Sequence, residues 1–187
     1  MHRIISILLV VLFCFAARVQ AETFVLPGQV VVEMFSTLPI SYYGNPEGNF
    51  CGVLLFTNWE CEFCKDFAAR IMDAIDSGER IVLYLYIEPE EKDEALEKIA
   101  SFICSKKTID DFISGVEVTP HDGSCEKEVK KKLIEISNWF DDRVLDVYFG
   151  SDFELSYPAV LVNDGRLYMG DTLIPEVILE HCREVVR

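Results

Sequence analysis

The sequence predicts an α/β domain: a parallel sheet with helices on both sides, a helical insertion, and a closing β-hairpin and helix. Three observations carry this. Gly52 to Thr57 and Ile81 to Ile87 are uninterrupted apolar runs, the second rich in β-branched and aromatic residues, as in strands covered on both faces. Between them the period changes. Phe63, Phe67, Ile71 and Ile75 recur every four residues, the spacing of one helical face, and Ser77-Gly78 ends the pattern. Further on, Asn163-Asp164-Gly165 separates the apolar runs Ala159 to Val162 and Arg166 to Met169, a strong hairpin signal.

Taken from the start, residues 1–21 have the composition of a secretory leader: His2 and Arg3, an apolar run from Ile4 to Ala17, then Val19-Gln20-Ala21 as a small-residue cleavage site. That run is shorter than the roughly 20 residues a spanning helix needs. Cys14 lies within it and is left out of the chemistry. A short extension, 22–51, is expected to hold a strand from Gln29 to Phe35 and a loop from Pro39 to Asn49, which contains Gly44, Asn45, Pro46 and Gly48. The main domain spans 52–187. Its insertion, about 92–155, is expected to be helical over Lys92 to Cys104 and Ile109 to Ile113, with Val129, Leu133, Ile136 and Phe140 as the apolar face of a further helix. The last helix starts near Pro175, since proline suits a first helical turn. The order β, β, α, β, helices, β-hairpin, α is that of a thioredoxin-like fold with a helical insertion.

Half of the 187 residues are hydrophobic, enough for one full core. Loss of the leader takes Arg3 and Arg18 from the 17 basic residues, leaving 15 against 32 acidic and a formal net charge of −17. That balance argues against nucleic acid or an anionic membrane surface as partner, and it repels acidic substrates. Six cysteines remain: Cys51, Cys61, Cys64, Cys104, Cys125 and Cys182. An even number in an exported chain is what disulfide chemistry leaves. The leader places the protein in the periplasm.

Cys61-Glu62-Phe63-Cys64 lies between a buried strand and a helix. This context puts the first sulfur at the helix N-terminus, where unpaired N–H groups and the helix dipole stabilise a thiolate. Cys61 is then the attacking sulfur and Cys64, one turn inside, the resolving one. The competing readings are a passive bridge or half of a zinc site. Zinc asks for two more ligands at suitable spacing, and no second Cys-x-x-Cys exists; His121 and His181 are isolated and expected at the surface. No metal or cofactor is expected. Glu60, Glu62 and Phe63 flank Cys61 and are expected to tune it, the two acids by opposing its thiolate through like-charge repulsion.

Ser156-Tyr157-Pro158-Ala159 precedes the hairpin. Pro158 resembles the cis-proline of the thioredoxin superfamily, which faces the Cys-x-x-Cys and holds extended substrate, and the resemblance makes Tyr157 and Pro158 the substrate-binding residues. From Gly52 to the C-terminus the chain is more specifically similar to the catalytic domain of DsbC/DsbG-type periplasmic disulfide isomerases. The matching stretches are Phe56-Thr57, Cys61-Glu62-Phe63-Cys64-Lys65, Cys104-Ser105-Lys106-Lys107, Asp110-Asp111-Phe112, Ser114-Gly115, Ser124-Cys125, Tyr157-Pro158-Ala159-Val160 and Asn163-Asp164-Gly165. The resemblance implies a structural disulfide between Cys104 and Cys125 across the insertion, disulfide-containing client proteins, and a membrane thiol partner that donates or accepts electrons.

This chain departs from that pattern in places. Residues 22–51 are too few for a dimerisation domain with its linker helix, and no oligomeric state follows. The segment from Asp141 to Leu155 is extra, and Tyr157 stands where the isomerases carry Thr. Leu55 replaces the buried acid of thioredoxin itself. Cys51 and Cys182 should share the sheet end opposite the site, as a disulfide or as two buried small side chains. The expected function is an enzyme that reduces or isomerises disulfides in envelope proteins. The alternatives are a DsbA-like oxidase and a non-catalytic thioredoxin-like assembly module.

Overall fold

A computed structural model describes residues 22–89, 93–119, 123–170 and 173–187; the expected leader and His121 lie outside them. The elements are β1 (Glu22–Val25), α1 (Gly28–Thr37), β2 (Ser41–Tyr43), β3 (Cys51–Thr57), α2 (Glu62–Asp76), β4 (Ile81–Ile87), α3 (Asp93–Cys104), α4 (Ile109–Ile113) and α5 (Ser124–Phe140). A π-helical turn (Asp141–Leu145), α6 (Asp146–Tyr148), β5 (Ala159–Val162), β6 (Arg166–Met169) and α7 (Pro175–Val185) follow. One six-stranded sheet has the order β1-β6-β5-β3-β4-β2. Among the described residues only β3 and β4 run parallel, from Cys51↔Ile81 to Thr57↔Ile87; the other pairs are antiparallel. The sheet is therefore mixed rather than parallel.

Every residue of β3 is buried, because this strand has neighbours on both edges and helices on both faces. Its side chains alternate as the strand pleat demands. Val53 and Leu55 pack with Phe67, Ile71, Phe102, Phe112 and Ile178, while Leu54 and Phe56 pack with Met34, Phe140 and Val144. Burying each such Leu, Ile or Phe contributes roughly 1.5–3 kcal/mol. On α2 the buried stripe is Cys64, Phe67, Ala68, Ile71 and Met72, spaced by three and four. Phe63, expected on that face, points outward instead.

The extension differs from expectation. Gln29 to Phe35 is not a strand but most of α1, with Pro27 as its N-cap. The β-branched run Val30-Val31-Val32 favours a strand locally. Val31, Met34 and Leu38 are nevertheless all buried, and their spacing of three and four fits one helical face on the sheet, at the cost of leaving Val32 70% exposed. Packing overrides propensity here. The edge position belongs to β1, which pairs with β6. The expected loop from Pro39 to Asn49 contains β2, which closes the other edge on β4.

Gly165 in the hairpin turn has φ +99°, and a Cβ there would lie 2.6 Å from the Leu26 carbonyl oxygen. The Leu26 N–H donates to the Gly165 carbonyl at 2.9 Å, so two backbones meet with no room for a side chain. Gly165→Ala is expected to cost about 2–3 kcal/mol, read as a lower urea midpoint at unchanged slope.

Candidate functional site

At the C-terminal end of β3 the chain turns through Asn58-Trp59-Glu60 into α2. The Asn58 side-chain oxygen accepts from the Glu60 N–H at 3.1 Å, and such Asx contacts stabilise tight turns. Trp59 is anchored edge-on against Phe102 of α3 and Phe112 of α4, with ring centroids 5.6 and 5.9 Å away. The helices between β4 and β5 thus brace the loop that carries Cys61.

Cys61 is the N-cap of α2, and its sulfur accepts from the Cys64 backbone N–H at 3.2 Å. The two cysteines are joined, with Cα atoms 5.2 Å apart. Their environments differ. Cys61 is half-buried, whereas Cys64 is 0% exposed beneath it. On reduction a thiolate at Cys61 keeps the helix N-terminal N–H groups and dipole, while Cys64 is reachable only through Cys61.

Both flanking acids have cationic neighbours. Glu62 is paired with the Lys65 ammonium at 2.6 Å. Lys65, itself only 17% exposed, sits over the Phe112 ring 5.9 Å from its centroid. That cation offsets the charge of Glu62 near the sulfur. The Glu60 field helps to raise the Lys98 pKa, after the larger effect of Glu94, so Glu60 also faces a positive neighbour. Lys65 and Trp59 are site residues that sequence reasoning missed. The i,i+3 spacing of Glu62 and Lys65 is a legible signal, whereas the aromatic contacts of Trp59 span more than 40 positions and leave none.

Tyr157–Pro158 is a cis peptide, and Pro158 is buried at the start of β5. Beside the cysteine pair lies a groove of about 430 Å³ walled by Phe63, Arg70, Tyr157, Pro158, Ile174 and Pro175. Phe63, 82% exposed, is a wall of this groove. Arg70 reaches Asp66 at 3.1 Å and Glu176 at 3.6 Å, tying α2 to α7 across the groove.

The other cysteines lie away from this centre. Cys104 at the end of α3 is bonded to Cys125 at the start of α5, with Cα atoms 6.0 Å apart. Glu126 is close to both sulfurs, but sulfurs bonded to each other offer no thiolate to a metal. Cys51 and Cys182 are bonded as well, with Cα atoms 5.3 Å apart, linking β3 to α7 at the end opposite the site. His181 beside them is not a surface residue. It is 7% exposed, with Arg166 3.0 Å from Nδ1 and Asp164 2.8 Å from Nε2. Arginine only donates, so Nδ1 accepts and Nε2–H donates to Asp164.

No protein-family model matches the chain, and no curated protein matches it. Solved structures do resemble it. The catalytic domain of Proteus mirabilis ScsC superposes with TM-score 0.52 at 12% identity, over 85% of this chain and 98% of that one. A periplasmic thioredoxin-like protein from Salmonella enterica serovar Typhimurium gives 0.54 at 12%, over 84% and 96%. A thioredoxin-like oxidoreductase from Silicibacter pomeroyi DSS-3 gives 0.52 at 14%, over 76% and 91%. At these identities the likeness establishes architecture: this chain has a thioredoxin-like fold.

Proposed function

We propose that the chain is a periplasmic thiol–disulfide oxidoreductase that reduces or isomerises disulfides in client proteins through Cys61 and Cys64. The carrying observation is the unequal burial of the pair, a reachable sulfur at a helix N-cap joined to one fully enclosed. In the reduced protein the Cys61 thiolate attacks a client disulfide, forming a mixed disulfide and releasing one client thiolate. Cys64 then loses its proton and attacks the Cys61 sulfur, which releases the second client thiolate and restores the Cys61–Cys64 bond. The client gains two electrons and two protons. A thiol donor, in this reading a membrane protein, returns the pair to the dithiol. In isomerisation the released client thiolate attacks another client disulfide, and the mixed disulfide resolves with no net electron transfer.

Tyr157, Pro158 and the groove beside them would hold the client chain. The solved neighbours, among them a periplasmic protein and an oxidoreductase, are consistent with this assignment. Titration of the Cys61 thiolate by its ultraviolet absorbance tests the direction of electron flow. The helix N-terminus favours the thiolate, and Lys65 offsets Glu62. Glu60 remains to oppose it, so the pKa should lie below about 8.5 for a free cysteine and well above about 3.5 for a strong oxidase. A value near 3.5 would assign the protein to oxidation instead.

A further inference from the structure

The two disulfides away from the reactive pair differ in access. Cys51 and Cys182 are 0% and 1% exposed, so an attacking thiolate cannot reach that bridge in the folded chain. Cys125 is exposed and Cys104 half-buried, so a dithiol can open theirs without unfolding the domain. Cys104 ends α3, and Cys125 lies in the first turn of the 17-residue α5, where the helix dipole favours an anionic sulfur.

A separate observation points to what the opened bridge holds. Glu126, the next residue of α5, is 7% exposed, and a carboxylate oxygen of it lies within 4.8 Å of both sulfurs. Among the described residues no hydrogen bond or ion pair reaches that carboxylate. The Lys130 ammonium, one turn on, is held instead by Glu97 of α3 at 2.9 Å. A buried charge without a partner is costly, so the carboxylate is aimed at two sulfurs and lacks a cation. Two thiolates and a carboxylate form a donor set that suits zinc rather than calcium or magnesium. A tetrahedral ion with sulfur at about 2.3 Å holds two thiolates about 3.8 Å apart, which a Cα separation of 6.0 Å permits by side-chain rotation.

We infer that Cys104, Cys125 and Glu126 form a zinc site that exists only while their disulfide is reduced. A dithiol attacks the Cys125 sulfur, forms a mixed disulfide and departs as its own cyclic disulfide, leaving two thiols that have gained two electrons and two protons. Zinc(II) then displaces both thiol protons to solvent and forms two Zn–S bonds and one Zn–O bond, with no change in its oxidation state. Water takes the fourth position. Three anionic ligands on a divalent ion leave one negative charge, which the N-terminus of α5 favours. The ion ties α3, which braces Trp59 through Phe102, to α5 in place of the bridge. Sulfurs held by the metal are also withdrawn from exchange with Cys61 or with other disulfides. The site stands independently of the proposed redox function.

The test uses the full chain carrying Cys61→Ser/Cys64→Ser, so that the reactive pair cannot bind the ion. Reduced with a phosphine and kept free of oxygen, it should take up one zinc(II) per chain in equilibrium dialysis, and the oxidised chain none at the same zinc concentration. Cobalt(II) in place of zinc should show thiolate-to-metal charge-transfer bands. Glu126→Gln should weaken zinc binding on the order of tenfold or more, and Cys104→Ser/Cys125→Ser should abolish it. No uptake by the reduced chain overturns the inference, as does equal uptake by the oxidised one. Uptake undiminished in Glu126→Gln, or surviving in Cys104→Ser/Cys125→Ser, overturns it too. Circular dichroism follows the fold throughout. Should reduction melt it, zinc is expected to restore the native spectrum, and failure to do so also overturns the inference.

Discussion

Cys61→Ser is expected to lower disulfide reduction by roughly 10³-fold or more, because a serine hydroxyl is not ionised near neutral pH and cannot replace the thiolate nucleophile. Cys64→Ser should behave differently. Its Cys61 remains at the N-cap of α2 and still attacks, but nothing beneath it resolves the product, so mixed disulfides with clients accumulate. Non-reducing gels of periplasmic extract expressing each variant, with insulin reduction by the purified proteins, separate the two outcomes. Trapping by Cys61→Ser rather than Cys64→Ser would reverse the roles drawn from their burial. Undiminished activity in Cys61→Ser would remove the basis of the proposed function.

The second large effect concerns the disulfide at the other end of the sheet. Cys51 and Cys182 are 131 positions apart, Cys104 and Cys125 only 21. In the chain-entropy account a loop closed over the longer span contributes about 5 kcal/mol and one over the shorter about 3. Domains of this kind have about 5–15 kcal/mol in total. Cys51→Ala/Cys182→Ala should therefore lose a large part of its stability, and more than Cys104→Ala/Cys125→Ala. Urea unfolding of both double variants under non-reducing conditions checks the order. Equal losses, or a larger one for the Cys104 pair, would show that local bracing near Trp59 outweighs loop closure.

How much was legible follows from how local each cause is. The reactive pair could be read because its chemistry needs only an apolar strand before it and an amphipathic helix after it, all within 25 residues. The hairpin around Asn163-Asp164-Gly165 was equally local. Gln29 to Phe35 was misread because three consecutive valines state a strand preference, whereas the helix depends on where Val31, Met34 and Leu38 meet the sheet. His181 looked isolated because Asp164 and Arg166 reach it across the hairpin turn. Around Cys61 the sequence shows both acids and Lys65, but only the fold shows that Lys65 is held on Glu62.

The position of β1 has a consequence for a chain that leaves the ribosome or a translocation channel N-terminus first. Among the described residues its one strand partner is β6, in the register Glu22↔Met169 to Val25↔Arg166. The unit β3-α2-β4 can close as soon as about 40 residues from Cys51 have emerged, since β3 and β4 pair with each other. The first strand made is among the last to be placed, since it has no edge to join until Arg166 to Met169 have emerged. Such long-range pairing is slow to form. Throughout that interval the β6 edge is unformed and Glu22 to Val25 stay unpaired.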